Sequence, residues 1–331
     1  MRALPVREPA RRDLTEPVRD PARVGRSAQR FAGRPLPGRS RKPVLALHGR
    51  HCSRWRHTGW PARSTRRSRV RIALAQIVST PDPQHNLTLL EDGARRAAEA
   101  GASVVVFPEA TMCCFGVPLG PVAEPLDGPW AERVRTIAAD AGLTVVAGMF
   151  TPADDGRVHN TLLATGAGVE AGYDKIHLFD AFGFAESRTV APGTEPVSVE
   201  VDGVTVGLAT CYDLRFPGLF QELATRGAAV VLVPASWGAG PGKREQWDLL
   251  VRARALDSTA FVAACDQADP TTVGREAGKA PTGIGASTVV GPLGTVLHQL
   301  TDEPGLLVTD LDLEAVERAR ATVPVLANRR F

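Results

Sequence analysis

Cysteine is scarce in this chain of 331 residues, and its distribution excludes two kinds of protein. Cys52, Cys113, Cys114, Cys211 and Cys265 have neither the even count nor the density of a disulfide framework. No Cys-x-x-Cys or His/Cys cluster has the spacing of a zinc site. The adjacent Cys113 and Cys114 could close a vicinal disulfide, but two reduced thiols in a reducing cytoplasm are the expectation. Long apolar runs are also missing. None reaches the roughly 18–20 residues of a membrane span, and no signal-peptide apolar stretch precedes a small-residue cleavage site. The chain therefore reads as cytoplasmic, with no membrane partner. It has no internal repeat at a solenoid period.

Acidic residues are nearly absent from one end only. Residues 1–69 hold 19 Lys+Arg against 4 Asp+Glu, a net of +15, whereas residues 70–331 hold 20 against 32, a net of −12. The basic segment carries almost all its positive charge as Arg, is interrupted by Pro from Pro5 to Pro61, and has no sustained apolar period. Such a stretch buries too little apolar surface to offset its ordering entropy. It reads as an Arg/Pro-rich extension without fixed structure, or as an upstream stretch preceding a true start at Val70. A nucleic-acid-binding arm or a targeting peptide is the alternative. The aromatic interleaving and amphipathic period of those functions are missing, so nucleic acid is not an expected partner.

From Val70 onward, short β-rich runs alternate with helical patterns. Strands are expected over residues 71–77, 103–107, 143–149, 159–164, 169–173, 197–201, 204–210, 229–234, 260–265, 287–290, 295–298 and 306–311. Helices are expected over 86–100 with Asn86 as cap, then 130–141, 216–226, 245–258 and 313–321. Near-continuous apolar strands such as Val104-Val105-Val106-Phe107 belong to sheets covered on both faces. Two such sets of strands with helices imply an α/β sandwich of two mixed sheets with outer helices, and α/β folds place their sites at strand ends.

Three chemically able residues stand at such ends: Glu109, Lys175 and Cys211. Each alone is weak, since a strand-end cysteine is more often a small buried hydrophobe and a lone lysine a surface charge. Amide hydrolysis needs a nucleophile stronger than water, a proton donor for the amine and a positive site for the oxyanion. Cys211 can supply the first, with a thiol pKa lowered by the Lys175 ammonium. Glu109 can move the proton. A Cys–His pair using His177 is the competing arrangement, because His177 follows Lys175 by two residues and would share its strand face.

The order and context of these residues resemble the nitrilase superfamily. The matching segments are Phe107-Pro108-Glu109-Ala110, Asp174-Lys175-Ile176-His177-Leu178-Phe179-Asp180, Glu186-Ser187, Cys211-Tyr212-Asp213-Leu214-Arg215-Phe216-Pro217 and Leu250-Val251-Arg252-Ala253-Arg254-Ala255-Leu256. Several motifs in fixed order are far more specific than one. The resemblance implies a nitrilase-like α-β-β-α sandwich over residues 70–331 and a carbon-nitrogen hydrolase acting on a small-molecule amide. It implies Cys211 as nucleophile, Glu109 as base, and Lys175 with the Tyr212 N–H as oxyanion site. Glu186 would orient Lys175 or the attacking water. No metal or organic cofactor is called for, and pairing into a homodimer or higher homo-oligomer is implied.

Cys211-Tyr212-Asp213 replaces the Cys-Trp-Glu typical of true nitrilases and resembles the Nit branch of deaminated-glutathione amidases and omega-amidases. Those substrates carry a carboxylate, so a cationic anchor is expected. Arg215 is the candidate, with a structural pairing to Asp213 as its alternative. Met112, Cys113 and Trp237 are candidate substrate contacts, and Cys114 and Phe115 could line the site with them, ordinary loop packing being the alternative. Gln246-Trp247 stands where His-Trp is common in that branch, and Gly285-Ala286-Ser287 where Gly-His-Ser is. An N-carbamoyl amino acid or nitrile hydrolase on the same scaffold, and a non-catalytic assembly protein, are the competing functions.

Overall fold

A computed structural model of the chain describes residues 68–330 apart from Ala277; the basic extension up to residue 67 lies outside the described residues. In chain order the elements are β1 (Arg69–Gln76), α1 (Pro83–Glu99), β2 (Val104–Val106), α2 (Pro129–Ala141), β3 (Thr144–Pro152), β4 (Val158–Gly166) and β5 (Val169–Asp174). There follow β6 (Val190–Ala191), β7 (Ser198–Val201), β8 (Val204–Leu208), α3 (Pro217–Thr225), β9 (Val230–Ala235), α4 (Lys243–Ser258) and β10 (Phe261–Asp266). The last are β11 (Thr288–Val290), β12 (Val296–Gln299), β13 (Gly305–Asp312), α5 (Glu314–Thr322) and α6 (Val325–Asn328).

The strands form two mixed sheets, one ordered β13-β1-β2-β3-β4-β5 with β6 beside β4, the other β12-β11-β10-β9-β8-β7. Period-2 alternation divides each apolar strand between two buried faces. Ile72 and Leu74 of β1, Val104 and Val106 of β2, and Val206 and Leu208 of β8 meet Val230 and Leu232 of β9 in the core between the sheets. Ala73, Ala75 and Val105 turn outward onto α1 and α2. Val231 and Val233 do the same onto α3 and α4. This is the expected α-β-β-α layering.

Several boundaries differ from the sequence reading for identifiable reasons. Arg69 already pairs with Asp312 of β13, and Leu313 N donates to Ser68 O (2.9 Å), so the folded layer starts before Val70. Asn86 is not the cap of α1. Asp82, followed by Pro83 in the first turn, accepts from Gln84 N and starts the helix one turn earlier. Asn86 is fully buried, accepts from Thr80 N (2.8 Å) and donates to Thr80 O and Met112 O (2.8 and 2.9 Å). It thus ties α1 to the segment that follows Glu109.

The parallel strands point the same chemistry at one end. Glu109 follows β2, Cys211 follows β8, Ser236 follows β9 and Asp266 ends β10. Gly148 of β3 lets that end close up: a Cβ there would stand 2.6 Å from Ala110 N and 3.0 Å from Glu109 Cα.

Candidate active site

Lys175 is 2 % exposed and Glu109 1 %, so both charges have left water and each needs a partner. Lys175 Nζ donates to Glu109 Oε1 (2.9 Å) and to Glu186 Oε2 and Oε1 (2.9 and 3.1 Å). Glu109 Oε2 accepts from Ser236 N (2.9 Å), and Gln267 Nε2 donates to the Glu109 carbonyl (2.9 Å). Glu186 Oε2 also accepts from Phe179 N (2.6 Å), while Asp180 accepts from both Ser187 N and Ser187 Oγ (3.0 and 2.6 Å). These bonds fold the segment after Lys175 back over the site. Burial alone would lower the lysine pKa, but Glu109 and Glu186 beside it more than offset that and hold it well above the usual lysine range.

Cys211 begins a 3-10 turn, Cys211–Arg215, at φ 45°, a left-handed backbone that costs a non-glycine residue roughly 1–3 kcal/mol. Asp213 holds this turn. It accepts from Thr210 N (2.8 Å), Tyr173 Oη (2.6 Å), His177 N (3.1 Å) and His177 Nδ1 (2.7 Å). Cys211 Sγ meets Ser236 O at 3.9 Å. On balance the thiol pKa is not lowered, contrary to the sequence reading. Burial and the Glu109 carboxylate push its pKa well up, and Lys175 opposes them only in part. That direction favours the protonated thiol, which a neighbouring base would have to deprotonate before it could act as a nucleophile.

One cavity of about 280 Å³ brings Glu109, Lys175, Glu186, Cys211 and Tyr212 together, with Arg215 and Trp237 in its wall. His177 is elsewhere: its Nδ1 is committed to Asp213 and its ring stacks on Phe216 at 3.7 Å between centroids. Two other expectations are corrected. Met112 packs under α1 and α2, and Cys113 is buried with its Sγ near Pro81 O (3.5 Å). The chain turns inward at both, and of the four residues expected there Phe115 alone lines the cavity, followed by the residues to Leu119. Burial, then Cys114, pushes the Cys113 thiol up to about 11; all four described cysteines are free. Arg215 does not pair with Asp213, whose oxygens are taken; its Nη2 donates to Gln246 Oε1 (2.7 Å). Gln246 therefore acts on the cavity through Arg215, whereas Ala286 is fully buried and packs beneath α4.

Sequence reasoning missed Asn160, Asp213, Ser236 and Lys243. The Thr210-x-x-Asp213 spacing of a turn-starting box was a readable signal for Asp213. Asn160, an amide within an apolar strand, was another. Nothing in the sequence marked Lys243, which reaches the cavity from the first turn of α4 and lies 3.5 Å above the centre of the Phe182 ring.

Residues 71–321 match the family model described as Carbon-nitrogen hydrolase. Hydrolase Rv0480c of Mycobacterium tuberculosis (strain ATCC 25618 / H37Rv) is 60 % identical over 268 residues, covering 78 % of this chain and 95 % of that protein. Deaminated glutathione amidase of Escherichia coli O157:H7 is 34 % identical over 265 residues, 78 % of this chain and 97 % of that one. Among solved structures, a mutant of the amidase from Nesterenkonia sp. AN1, of the nitrilase superfamily, superposes with a TM-score of 0.66 at 32 % identity, over 79 % of this chain and 94 % of its own; that mutant carries the acetamide moiety of fluoroacetamide covalently at the active-site cysteine. With the family model spanning most of its length and these relatives covered almost end to end, the chain belongs to the carbon-nitrogen hydrolase family, within the nitrilase superfamily.

Proposed function

We propose that this carbon-nitrogen hydrolase cleaves a small amide bearing a carboxylate, through a thioester at Cys211, and releases ammonia. The observation that carries this reading is the polarity of the cavity at Cys211. At one end the Cys211 thiol stands with Lys175 between two glutamates. In the wall stand two cations, Arg215 and Lys243, that no carboxylate pairs among the described residues. Arg215 Nε is buried with no acceptor, and its guanidinium lies between the rings of Tyr212 and Trp237 (5.7 and 5.4 Å). Burial and Arg215 lower the Lys243 pKa, as expected for two cations awaiting an anion. A substrate with an amide at one end and a carboxylate at the other complements both poles.

In this reading Glu109 takes the thiol proton as sulfur attacks the amide carbon. Lys175 and the Tyr212 N–H receive the developing oxyanion, a position where one donor contributes on the order of 10²–10³ in rate. Glu109 then protonates the departing ammonia, and the acyl group remains on sulfur. Water, deprotonated by Glu109, adds to the thioester; the acid leaves and the thiol regains its proton. Glu186 keeps Lys175 in place. Residues 68–331 would carry the whole activity, with the basic extension dispensable.

Among the described residues no helix is long and apolar enough to cross a membrane. A cytoplasmic setting is proposed from the free thiols. A homo-oligomer is proposed from an apolar surface of Leu249 and Leu256 on α4 beside Leu293, to be checked by light scattering on the eluted protein.

The test is ammonia release over a panel of dicarboxylate monoamides, uncharged amides, carbamoyl amino acids and nitriles, with intact-mass detection of an acyl adduct on Cys211. Preference for a carboxylate-bearing amide is expected. Carbon dioxide released with the ammonia would replace the amide reading by a carbamoyl one, and turnover by Cys211→Ala would remove the thioester.

A further inference from the structure

Asn160 is the third residue of β4, opposite Phe150 of β3, in the row that continues with Leu162 and Ala164. Those two are fully buried in the core between the sheets, and Asn160 is equally buried. A core position filled by an amide is unfavourable unless the amide is bonded. Here Nδ2 donates to Glu109 Oε1 (2.7 Å) and to Glu186 Oε1 (3.2 Å), the Asn160 main-chain carbonyl accepts from Lys175 N (2.9 Å), and the side-chain Oδ1 is buried without a partner among the described residues. Both side-chain neighbours are carboxylate oxygens, which only accept, so the amide nitrogen must face them. One residue thereby contacts all three charged members of the site. It does not line the cavity.

The charges explain why an amide stands there. Lys175, from the end of β5, faces Glu109 and Glu186 together, which leaves one negative charge in excess. Cys211 from the turn after β8 and Asp266 at the end of β10 also act on this cluster. Two carboxylates sharing one ammonium repel each other. A second cation would relieve this but would also hold the Glu109 charge too tightly for it to accept a proton. A neutral donor of two hydrogen bonds offsets the repulsion without changing the net charge.

We propose that Asn160 is a positioning residue of the hydrolytic site: its amide clamps Oε1 of Glu109 and Oε1 of Glu186 about the Lys175 ammonium and leaves Glu109 Oε2 turned toward Ser236, beside the Cys211 sulfur. The proposal rests on the reading of Glu109 as the base for Cys211. It assigns Asn160 to proton transfer rather than to substrate binding.

The experiment follows alkylation of Cys211 by iodoacetamide against pH, read by mass spectrometry of the Cys211 peptide, in the full chain and in Asn160→Leu, Asn160→Ser and Glu109→Gln. Leucine keeps the volume and suits the row of Leu162 and Ala164, but donates nothing. Expected for Asn160→Leu is alkylation at neutral pH slower by at least about tenfold, the scale of a hydrogen bond to a charged group. The acid-side midpoint moves up by about one pH unit. Asn160→Ser, which leaves room for a water, moves the same way by less and carries the test where the leucine variant does not fold. With an amide substrate, kcat falls while KM stays within about twofold, by the same energy scale. If Glu109→Gln slows alkylation and both Asn160 variants keep the wild-type rate and midpoint, the role of Asn160 is overturned. If Glu109→Gln itself alkylates at the wild-type rate, Glu109 is not the base, and the Asn160 proposal falls with that reading.

Discussion

Replacing Lys175 by methionine removes a charge but little length, and leaves Glu109 and Glu186 facing each other with no cation between them. In the folded protein Lys175 is 2 % exposed and bonded at 2.9 Å to each carboxylate. Breaking a buried ion pair from one side costs about 3–5 kcal/mol, because the remaining charge is stranded. At roughly 2–4 °C per kcal/mol for a domain of this size, the melting temperature should fall by roughly 6–20 °C at pH 7.5. The sign of the pH dependence follows. The lysine pKa is raised in the folded state, so its contribution is fully present below the unfolded lysine value and is lost only as pH rises through the higher folded one. Wild-type stability from this source is therefore constant between pH 5 and 8. In the variant one carboxylate can take up a proton on acidification, so the gap to wild type should narrow as pH falls toward 5. Scanning calorimetry of both proteins at pH 5, 6 and 7.5, with turnover measured beside it, reads this directly. Turnover should drop by at least about 10²–10³, and Lys175→Arg should not restore it, since a planar guanidinium cannot take the place of a compact ammonium. A melting temperature within about 2 °C of wild type, or a gap independent of pH, would refute the stranded-charge reasoning, which rests on that cost per buried pair.

Cys211→Ala should keep the wild-type circular dichroism spectrum and lose all ammonia release; measurable turnover of the best substrate would remove the nucleophile. Gly148→Ala places a Cβ 2.6 Å from Ala110 N, so the turn bearing Glu109 must move; a loss of roughly 1–3 kcal/mol in chemical denaturation is expected together with a lower kcat. Lys243→Met should raise KM for a carboxylate-bearing amide about tenfold, as for one charge-assisted hydrogen bond, and an equal change with an uncharged amide would mean that the lysine does not read the carboxylate. A chain shortened to residues 68–331 should hydrolyse the same amide with unchanged kcat/KM, and lost activity would return the basic extension to the fold or to a binding role.

Local pattern carried most of the architecture, because strands covered on both faces leave continuous apolar runs and their helices leave Pro and acidic starts. The first helix shows the limit. Asn86 is a good cap by type, yet Asp82-Pro83 is better placed, and the burial that claims Asn86 depends on Thr80 and Met112 arriving from elsewhere. Glu109, Lys175, Glu186 and Cys211 were legible because they sit in fixed motifs beside strand ends. Ser236 was not, because it contributes a backbone N–H, and any residue there except proline would carry one. Lys243 was not, because a lysine opening a helix normally faces water, and only the segment bearing Phe182 makes it part of a wall. The thiol ionisation was misjudged because the sequence places a lysine near the cysteine but says nothing of how much water is removed.

Cys211 comes from one sheet, and Glu109 and Lys175 come from the other. A reactive sulfur is a hazard to a chain still being made, since it can attack or be oxidised before the protein has a use for it. In the proposed mechanism the base that would arm it, Glu109, belongs to the other layer and stands near it only where the two sheets pack together. On that reading an unfolded Cys211 would lack its base, and the packing of the two sheets would give the nascent protein the safety that a zymogen obtains from a pro-segment, with no cleavage step.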